Sequence, residues 1–262
     1  MLRKNSLLLI VLNIVATIGT IAYNALSQIL PIGTATNAEI ANRLPIYFFP
    51  ANYTFSIWGL IYLGWIGFTI YQALPSQRTN PFVRAVGPWF FLGSLGNIGW
   101  LLLFQYEQFA ASMIPIVWLL LTLGIIYVRL RRVDATASMA DRILIFAPFS
   151  IYFAWAAVAT VANTTYVLYA AGQRDLFGIA EATWGAIMLV VAGAITGSVA
   201  IFNRDIPYVA VIVWAFIGIM ARYPNILAVY WTAAGVAALA ALAVVIVSVF
   251  GWGQASARTA RR

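Results

Sequence analysis

Three sets of side chains combine aromatic rings with a polar tip at helical spacing. Trp58, Tyr62 and Trp65 stand at i, i+4 and i+7; Asn97, Trp100 and Phe104 stand at i, i+3 and i+7; Tyr152, Trp155, Ala159 and Asn163 stand at 0, 3, 7 and 11. On a helix each set falls on one face. Rings of this kind stack on flat molecules, and an amide or phenol among them orients a polar edge. Little other chemistry is on offer. There is no cysteine and no histidine, which removes thiolate catalysis, disulfides, the usual proton shuttle, the usual haem ligand and most transition-metal sites. Lys4 is the only lysine, so no midspan Schiff base can form. Neither a G-x-x-x-x-G-K-[ST] phosphate loop nor an aspartate-rich pyrophosphate site occurs. Acid–base, nucleophilic and metal catalysis therefore lack their groups.

The elements that carry these stripes are set by lipid. Of 262 residues, 63% are hydrophobic and only 8% charged, too few charges to cover a water-soluble surface. Long apolar runs separated by short polar turns specify helices rather than the alternating strands of a barrel. Eight runs are read: Leu7 to Leu30, Tyr53 to Leu74, Ala85 to Phe104, Ala110 to Val128, Ile143 to Ala171, Ala182 to Phe202, Tyr208 to Ala221 and Ile226 to Phe250. The first is too long for a signal peptide and lacks a clear small-x-small cleavage site, so it reads as a retained span. The seventh is short against the roughly 20 residues that cross a bilayer. The expected fold is an all-α polytopic transmembrane bundle.

Charge placement gives the expected orientation. With the N-terminus inside, Arg3, Lys4, Arg78, Arg84, Arg129, Arg131, Arg132, Arg142, Arg204, Arg258, Arg261 and Arg262 lie inside, and only Arg43, Arg174 and Arg222 outside. That is the positive-inside pattern for eight spans, N-in and C-in, and it accounts for the net charge of +8 without nucleic acid. Almost no ionisable residue falls within a span, and Glu107 and Glu181 sit at helix ends; this disfavours ion-coupled transport.

Many of the aromatic residues suit a belt at the membrane interfaces. Trp65 and Trp155 do not, because about 1.5 Å of rise per residue puts them roughly 18 Å from their span starts. Asn97 is similarly deep and needs a hydrogen-bonding partner, either another helix or a ligand. Small residues form ridges at Gly93, Gly96 and Gly99 and at Gly193 and Gly197; these serve packing within the bundle or a homodimer face.

Three motifs carry a family resemblance. Pro50…Phe55-x-x-Trp58-Gly-x-x-Tyr62 resembles the second-helix signature of the translocator protein (TspO/MBR) family, the tryptophan-rich sensory proteins. Asn97-x-x-Trp100 with Phe104 is similar to its third-helix pattern, and Tyr152-x-x-Trp155-x-Ala157-x-Ala159-Thr160-x-x-Asn163 to its fifth. Two positions depart from the pattern: Ile151 replaces a proline, with Pro148 one turn earlier, and Phe55 precedes Trp58 by three residues where four is usual. The resemblance covers about residues 7–171, and the last three runs have no counterpart in it.

The resemblance implies a five-helix transmembrane unit (7–171) that binds porphyrins, sterols and similar apolar ligands between its helices, with the loop after the first helix as a cap. Three additional helices (182–250) and a basic cytoplasmic tail (251–262) would complete the chain. Carried over by position, Trp58, Tyr62, Asn97, Trp100, Tyr152, Trp155, Ala159 and Asn163 would line the site. The expected protein is a membrane binding and sensory protein for a tetrapyrrole or similar flat apolar ligand, with no required cofactor and no metal. Its other partners would be the lipid bilayer and, through the small-residue faces, a second copy. The alternatives are a permease for an apolar metabolite, a structural subunit of a membrane complex, and light-dependent porphyrin oxidation with Trp58 or Trp155 as electron donor. The charge bias and the absence of a transit-like start favour a bacterial cytoplasmic membrane.

Overall fold

The computed structural model describes residues 6–259, with side chains as far as residue 246. Arg3 and Lys4 lie outside the described residues, as do the side chains of the basic tail, residues 251–262. Eight long helices follow one another: α1 (Leu7–Ile29), α2 (Ile57–Ala73), α3 (Trp89–Gln105), α4 (Phe109–Arg131), α5 (Ala147–Ala170), α6 (Glu181–Ser198), α7 (Ile206–Arg222) and α8 (Leu227–Thr259). The described residues include no strand. Six spans are long and apolar enough to cross a bilayer, α2 when counted with the 3-10 turn Asn52–Ser56 that leads into it; α3 and α7 are shorter apolar helices. Each of these two has 17 residues, and at about 1.5 Å per residue such a helix reaches roughly 25 Å. The architecture is that of a polytopic helical membrane bundle.

Four of the expected runs are not single regular helices: the second opens with a 3-10 turn, Asn52–Ser56, the sixth closes with a π-helical turn, Val199–Asn203, and two others have causes visible in their residues. The run expected from Ala85 to Phe104 is broken before α3. A short helix, Pro81–Val86, starts at Asn80, whose side-chain oxygen accepts from the Phe82 and Val83 backbone N–H groups at 2.8 and 3.4 Å. It stops at Gly87, which takes φ 52°, a conformation that a Cβ would strain. Pro88 follows, and α3 begins at Trp89. The fifth run opens with a π-helical turn, Arg142–Phe146, ahead of α5. Pro148 is the cause: its ring collides with the carbonyl four residues back in a regular α-turn, and the wider turn avoids that collision.

The chain forms two compact units. The first is the chain up to Pro45 together with Ser56–Ala171; the second is Ile46–Phe55 together with the chain from Gly172 onward. This division differs from the expected one, which kept the whole loop Pro31–Asn52 with the first five helices.

Within the first unit α1 is inside-out for a water-soluble protein. Leu7, Leu8, Val11, Val15 and Ile18 are exposed, while Asn13, Thr17, Thr20, Asn24 and Ser27 are buried. Apolar surface costs nothing against lipid tails, so polar groups turn inward and hydrogen bond between helices. α3 and α4 approach closely along the glycine ridge. A Cβ on Gly93 would stand 2.8 Å from Thr122 Oγ1, and one on Gly96 2.9 Å from the Pro115 carbonyl oxygen. The ridge at Gly93, Gly96 and Gly99 is thus filled by α4 inside the unit. At the end where α1 finishes, the first part of the long loop lies against the α3–α4 turn. Gly33 meets the Gln105 carbonyl so closely that a Cβ would fall 2.1 Å from that oxygen.

In the second unit the irregular segment 46–55 is bonded to α7. Ala51 N–H donates to Gly218 O at 3.0 Å, and Trp214 Nε1 donates to Thr54 O at 2.9 Å. Arg222 Nη1 donates to Pro50 O at 3.3 Å, and the Tyr223 hydroxyl to Ile46 O at 2.7 Å. Irregular backbone among apolar helices needs protein partners for its polar groups, and α7 with its exit turn supplies them. That is why the segment groups with the C-terminal helices. α6 and α8 pack small against branched: a Cβ on Gly193 would lie 2.1 Å from Val236 Cγ1.

Candidate functional site

The aromatic stripe of α2 and the polar tips of α3 and α5 meet inside the first unit. Trp58 and Tyr62 stack along α2 with centroids 5.6 Å apart and planes 30° from parallel. Both rings are half-buried. Behind them, the Trp58 ring meets Tyr152 of α5 edge-on at 6.2 Å, and Trp65 meets Tyr152 at 4.8 Å. Phe90 at the start of α3 closes the inner side, 5.9 Å from Trp65. Edge-to-face contacts of this kind add to the burial of the rings themselves.

A hydrogen-bonded chain backs this cluster. Asn24 Nδ2 of α1 donates to Asn97 Oδ1 at 2.7 Å, and Asn97 Nδ2 donates to the Tyr152 hydroxyl at 3.1 Å. All three side chains are buried. The Asn97 amide therefore uses both its ends within the protein, tying α1, α3 and α5 together.

Trp100 and Asn163 form a second cluster, nearer the end of the unit where α3 finishes. Trp100 Nε1 donates to Asn163 Oδ1 at 3.2 Å. Asn163 Nδ2 donates to Ser112 Oγ of α4 at 3.1 Å and contacts Met113 Sδ at 3.1 Å. Trp100 also lies against Phe104 at 6.1 Å, and Phe104 against Tyr166 at 5.1 Å. Trp155 is buried on α5 one turn beyond Tyr152, and Ala159 is half-buried one turn further, on the same face as Asn163. Six of the eight expected residues thus fall into an α2–α3–α5 cluster around Tyr152 and an α3–α4–α5 cluster around Asn163, while Trp155 and Ala159 share the helix face of Asn163.

Contributors that were not among the expected site residues include Asn24, Ser112 and Met113. Asn24 had a visible signal, because Asn13, Thr17, Thr20, Asn24 and Ser27 recur every three or four residues along α1. Ser112 and Met113 had none. Trp65 was recognised as deep but not assigned to the site, yet it makes the shortest ring contact with Tyr152 in the cluster.

The clusters hold no charged group. Charged side chains tie the loop after α1 to the α3–α4 turn. Glu107, in the α3–α4 turn, accepts from the Thr34 hydroxyl and from Arg43 Nη1, the latter at 2.6 Å. The Thr34 hydroxyl and then the Arg43 guanidinium hold the Glu107 carboxyl below the usual carboxylate range. Tyr166 adds a further tie from α5, donating to Ile40 O at 2.7 Å. Among the described residues no three Asp or Glu side chains converge as a metal site would need. What the arrangement offers is stacking area and a few neutral hydrogen-bonding groups, with a loop tied across one end of the unit.

A model of the TSPO-like protein family matches residues 10–246. No curated protein and no solved structure matches the chain. The family match runs past residue 171 and through α6, α7 and most of α8, so the C-terminal helices lie within the matched pattern, contrary to the expectation from the three motifs. With helices long and apolar enough to span a bilayer, the chain is an integral membrane protein and belongs to the TSPO-like protein family.

Proposed function

We propose that the first unit binds a flat, largely apolar ligand of tetrapyrrole type, and that this makes the protein a membrane binding and sensory component. The observation that carries the reading is the pair of half-buried, stacked rings Trp58 and Tyr62, backed edge-on by buried Tyr152. A ring face kept partly open in front of a rigid aromatic wall suits stacking against a planar molecule. The buried amides act as a frame: Asn97 and Asn163 fix the helices that carry the rings. The loop segment held by Glu107 and Tyr166 lies at the end where α1 finishes and α2 begins, and would cap the site from that side.

The test is a tryptophan-fluorescence titration of the detergent-purified protein with protoporphyrin. Trp58→Leu is compared with Trp184→Leu, a change in α6 of the second unit where the indole donates to Leu176 O. Saturable quenching, weakened about threefold or more by Trp58→Leu and unchanged by Trp184→Leu, supports the site; a lost stack is worth roughly 1 kcal/mol. Unsaturable quenching, identical in all three proteins, refutes it.

A further inference from the structure

The polar stripe of α1 forms a ladder of hydrogen bonds with its neighbours, and at one level of it neither side chain makes a hydrogen bond. α1 and α2 run antiparallel. Asn13 Nδ2 donates to Gln72 Oε1 at 3.0 Å, and one turn along, the hydroxyls of Thr17 and Thr69 lie 2.7 Å apart. Stepping one further turn raises the α1 number by three or four and lowers the α2 number by the same amount. That step brings Thr20 opposite Trp65. Beyond it the ladder resumes with Asn24, Asn97 and Tyr152.

Thr20 and Trp65 are 0% and 1% exposed, yet neither Thr20 Oγ1 nor Trp65 Nε1 has a hydrogen-bond partner in the protein. The indole N–H is a donor only, so it needs an acceptor when buried. A threonine on a helix can turn its hydroxyl back to the carbonyl four residues earlier, as Thr17 does toward Asn13 O at 3.0 Å. Thr20 does not. Two buried groups that can both donate therefore stand at one level without any bond; on the first rung Asn13 Oδ1 and Gln72 Nε2 also lack partners, but there the two amides already bond each other through their other atoms.

We propose that Thr20 and Trp65 form a binding site for one neutral hydrogen-bond acceptor brought in from outside the chain. The acceptor takes the Trp65 N–H and the Thr20 hydroxyl proton. Its class follows from the surroundings: Trp65 is ringed by Trp58, Tyr62, Phe90 and Tyr152, and none of these offers a positive charge. A carboxylate would be stranded there, whereas a water, carbonyl or ether oxygen is not. Two sources share this chemistry: a resident water, or an uncharged polar atom of a ligand bound at the aromatic site. Only the second source rests on the proposed function.

The experiment is a 1H–15N NMR spectrum of the full-length protein labelled with [15N]tryptophan, recorded in micelles with and without protoporphyrin. The Trp65 indole resonance is assigned by Trp65→Phe, with Thr20→Val and Thr20→Ser as probes that leave every indole in place. A Trp65 N–H at a hydrogen-bonded position without porphyrin, showing cross-relaxation to water and displaced by Thr20→Val but not by Thr20→Ser, assigns a resident water. A resonance that shifts to the bonded position only with protoporphyrin assigns the ligand atom, and Trp65→Phe then weakens binding about three- to tenfold, the worth of one hydrogen bond. The proposal is overturned if the resonance stays at the free-indole position in both samples. It is equally overturned if the N–H is bonded with neither water cross-relaxation nor a response to protoporphyrin, since the two side chains would then bond each other directly. Absence of any porphyrin binding refutes the proposed function but leaves the water result readable.

Discussion

Asn97 Nδ2 of α3 donates to the hydroxyl of Tyr152 of α5 at 3.1 Å, deep inside the first unit. Because Asn97 also accepts from Asn24 at 2.7 Å, one amide joins three helices. Its loss strands two partners, whereas the loss of the phenol oxygen strands one. Asn97→Leu is therefore expected to destabilise by about 1–3 kcal/mol, and Tyr152→Phe by less. Thermal unfolding in detergent measures both. The double variant should cost less than the two single changes added together, since both remove the same bond. Strict additivity would show that the bond contributes nothing.

Gly64 and Pro148 make a second relationship that substitution can dissect. A Cβ on Gly64 would stand 2.9 Å from Pro148 Cβ, so Gly64→Ala forces α2 and α5 apart at the level just below Tyr152. The expected cost is about 1–3 kcal/mol of stability. Pro148→Ala removes the ring atoms, and with them the steric cause of the π-helical turn at Arg142–Phe146. Alanine keeps the Cβ that makes the nearest contact, so the background that tests the approach is Pro148→Gly, in which Gly64→Ala should cost clearly less than in the native chain. An equal cost in both backgrounds would mean that the side chain at 148 does not set the approach of the two helices.

How much of this was legible beforehand depends on how local each cause is. Hydropathy alone marked the eight apolar helices, because lipid exposure acts on each run separately. The rings at Trp58, Tyr62 and Tyr152 were also legible, since helical spacing places them on faces without reference to other helices. The break at Gly87 and Pro88 carried a local signal in the Gly-Pro pair, but the apolar residues on either side hid it. What could not be read was pairing. Asn97 needed a partner, yet nothing in its neighbourhood distinguishes Asn24 from a ligand. Residues 46–55 adjoin α2 in sequence but are bonded by Trp214, Gly218 and Arg222, more than 150 positions away, and Arg222 had been read only as a topological charge.

That distant pairing makes Gly218 a sensitive position. Its backbone carbonyl accepts from Ala51, and a Cβ there would fall 2.0 Å from Thr54 Oγ1 and 2.9 Å from Pro50 Cβ. Gly218→Ala adds one methyl to a helix interior, where alanine is ordinarily favoured by about 1 kcal/mol over glycine. The contact with Thr54 should reverse that sign. We expect a lower unfolding temperature and faster proteolysis within 46–55. A rise in unfolding temperature would show that the segment can move aside freely.

The loop segment before Pro45 has an acid-sensitive tie in Glu107. Thr34 and Arg43 both favour the ionised carboxylate and lower its pKa in the folded protein. A carboxyl with a depressed folded pKa contributes stability that is present above the unfolded value of about 4.3 and is lost as pH falls through the folded value. The tie should therefore hold unchanged through the neutral range and weaken only below about pH 4. Arg43 stays charged throughout, so Glu107 is the titrating partner; Glu39 lies on the same loop, has a lowered pKa of its own through Thr36, and acts on Arg43 in parallel. Hydrogen exchange of residues 31–45 measures the outcome: protection should be constant from pH 8 to about pH 5, after correction for intrinsic rates. Glu107→Gln should lower protection at pH 7, because the amide keeps the shape but loses the charge that Arg43 meets. Protection in Glu107→Gln equal to that of the native chain would show that Tyr166 and the Gln105 contact hold the loop without it.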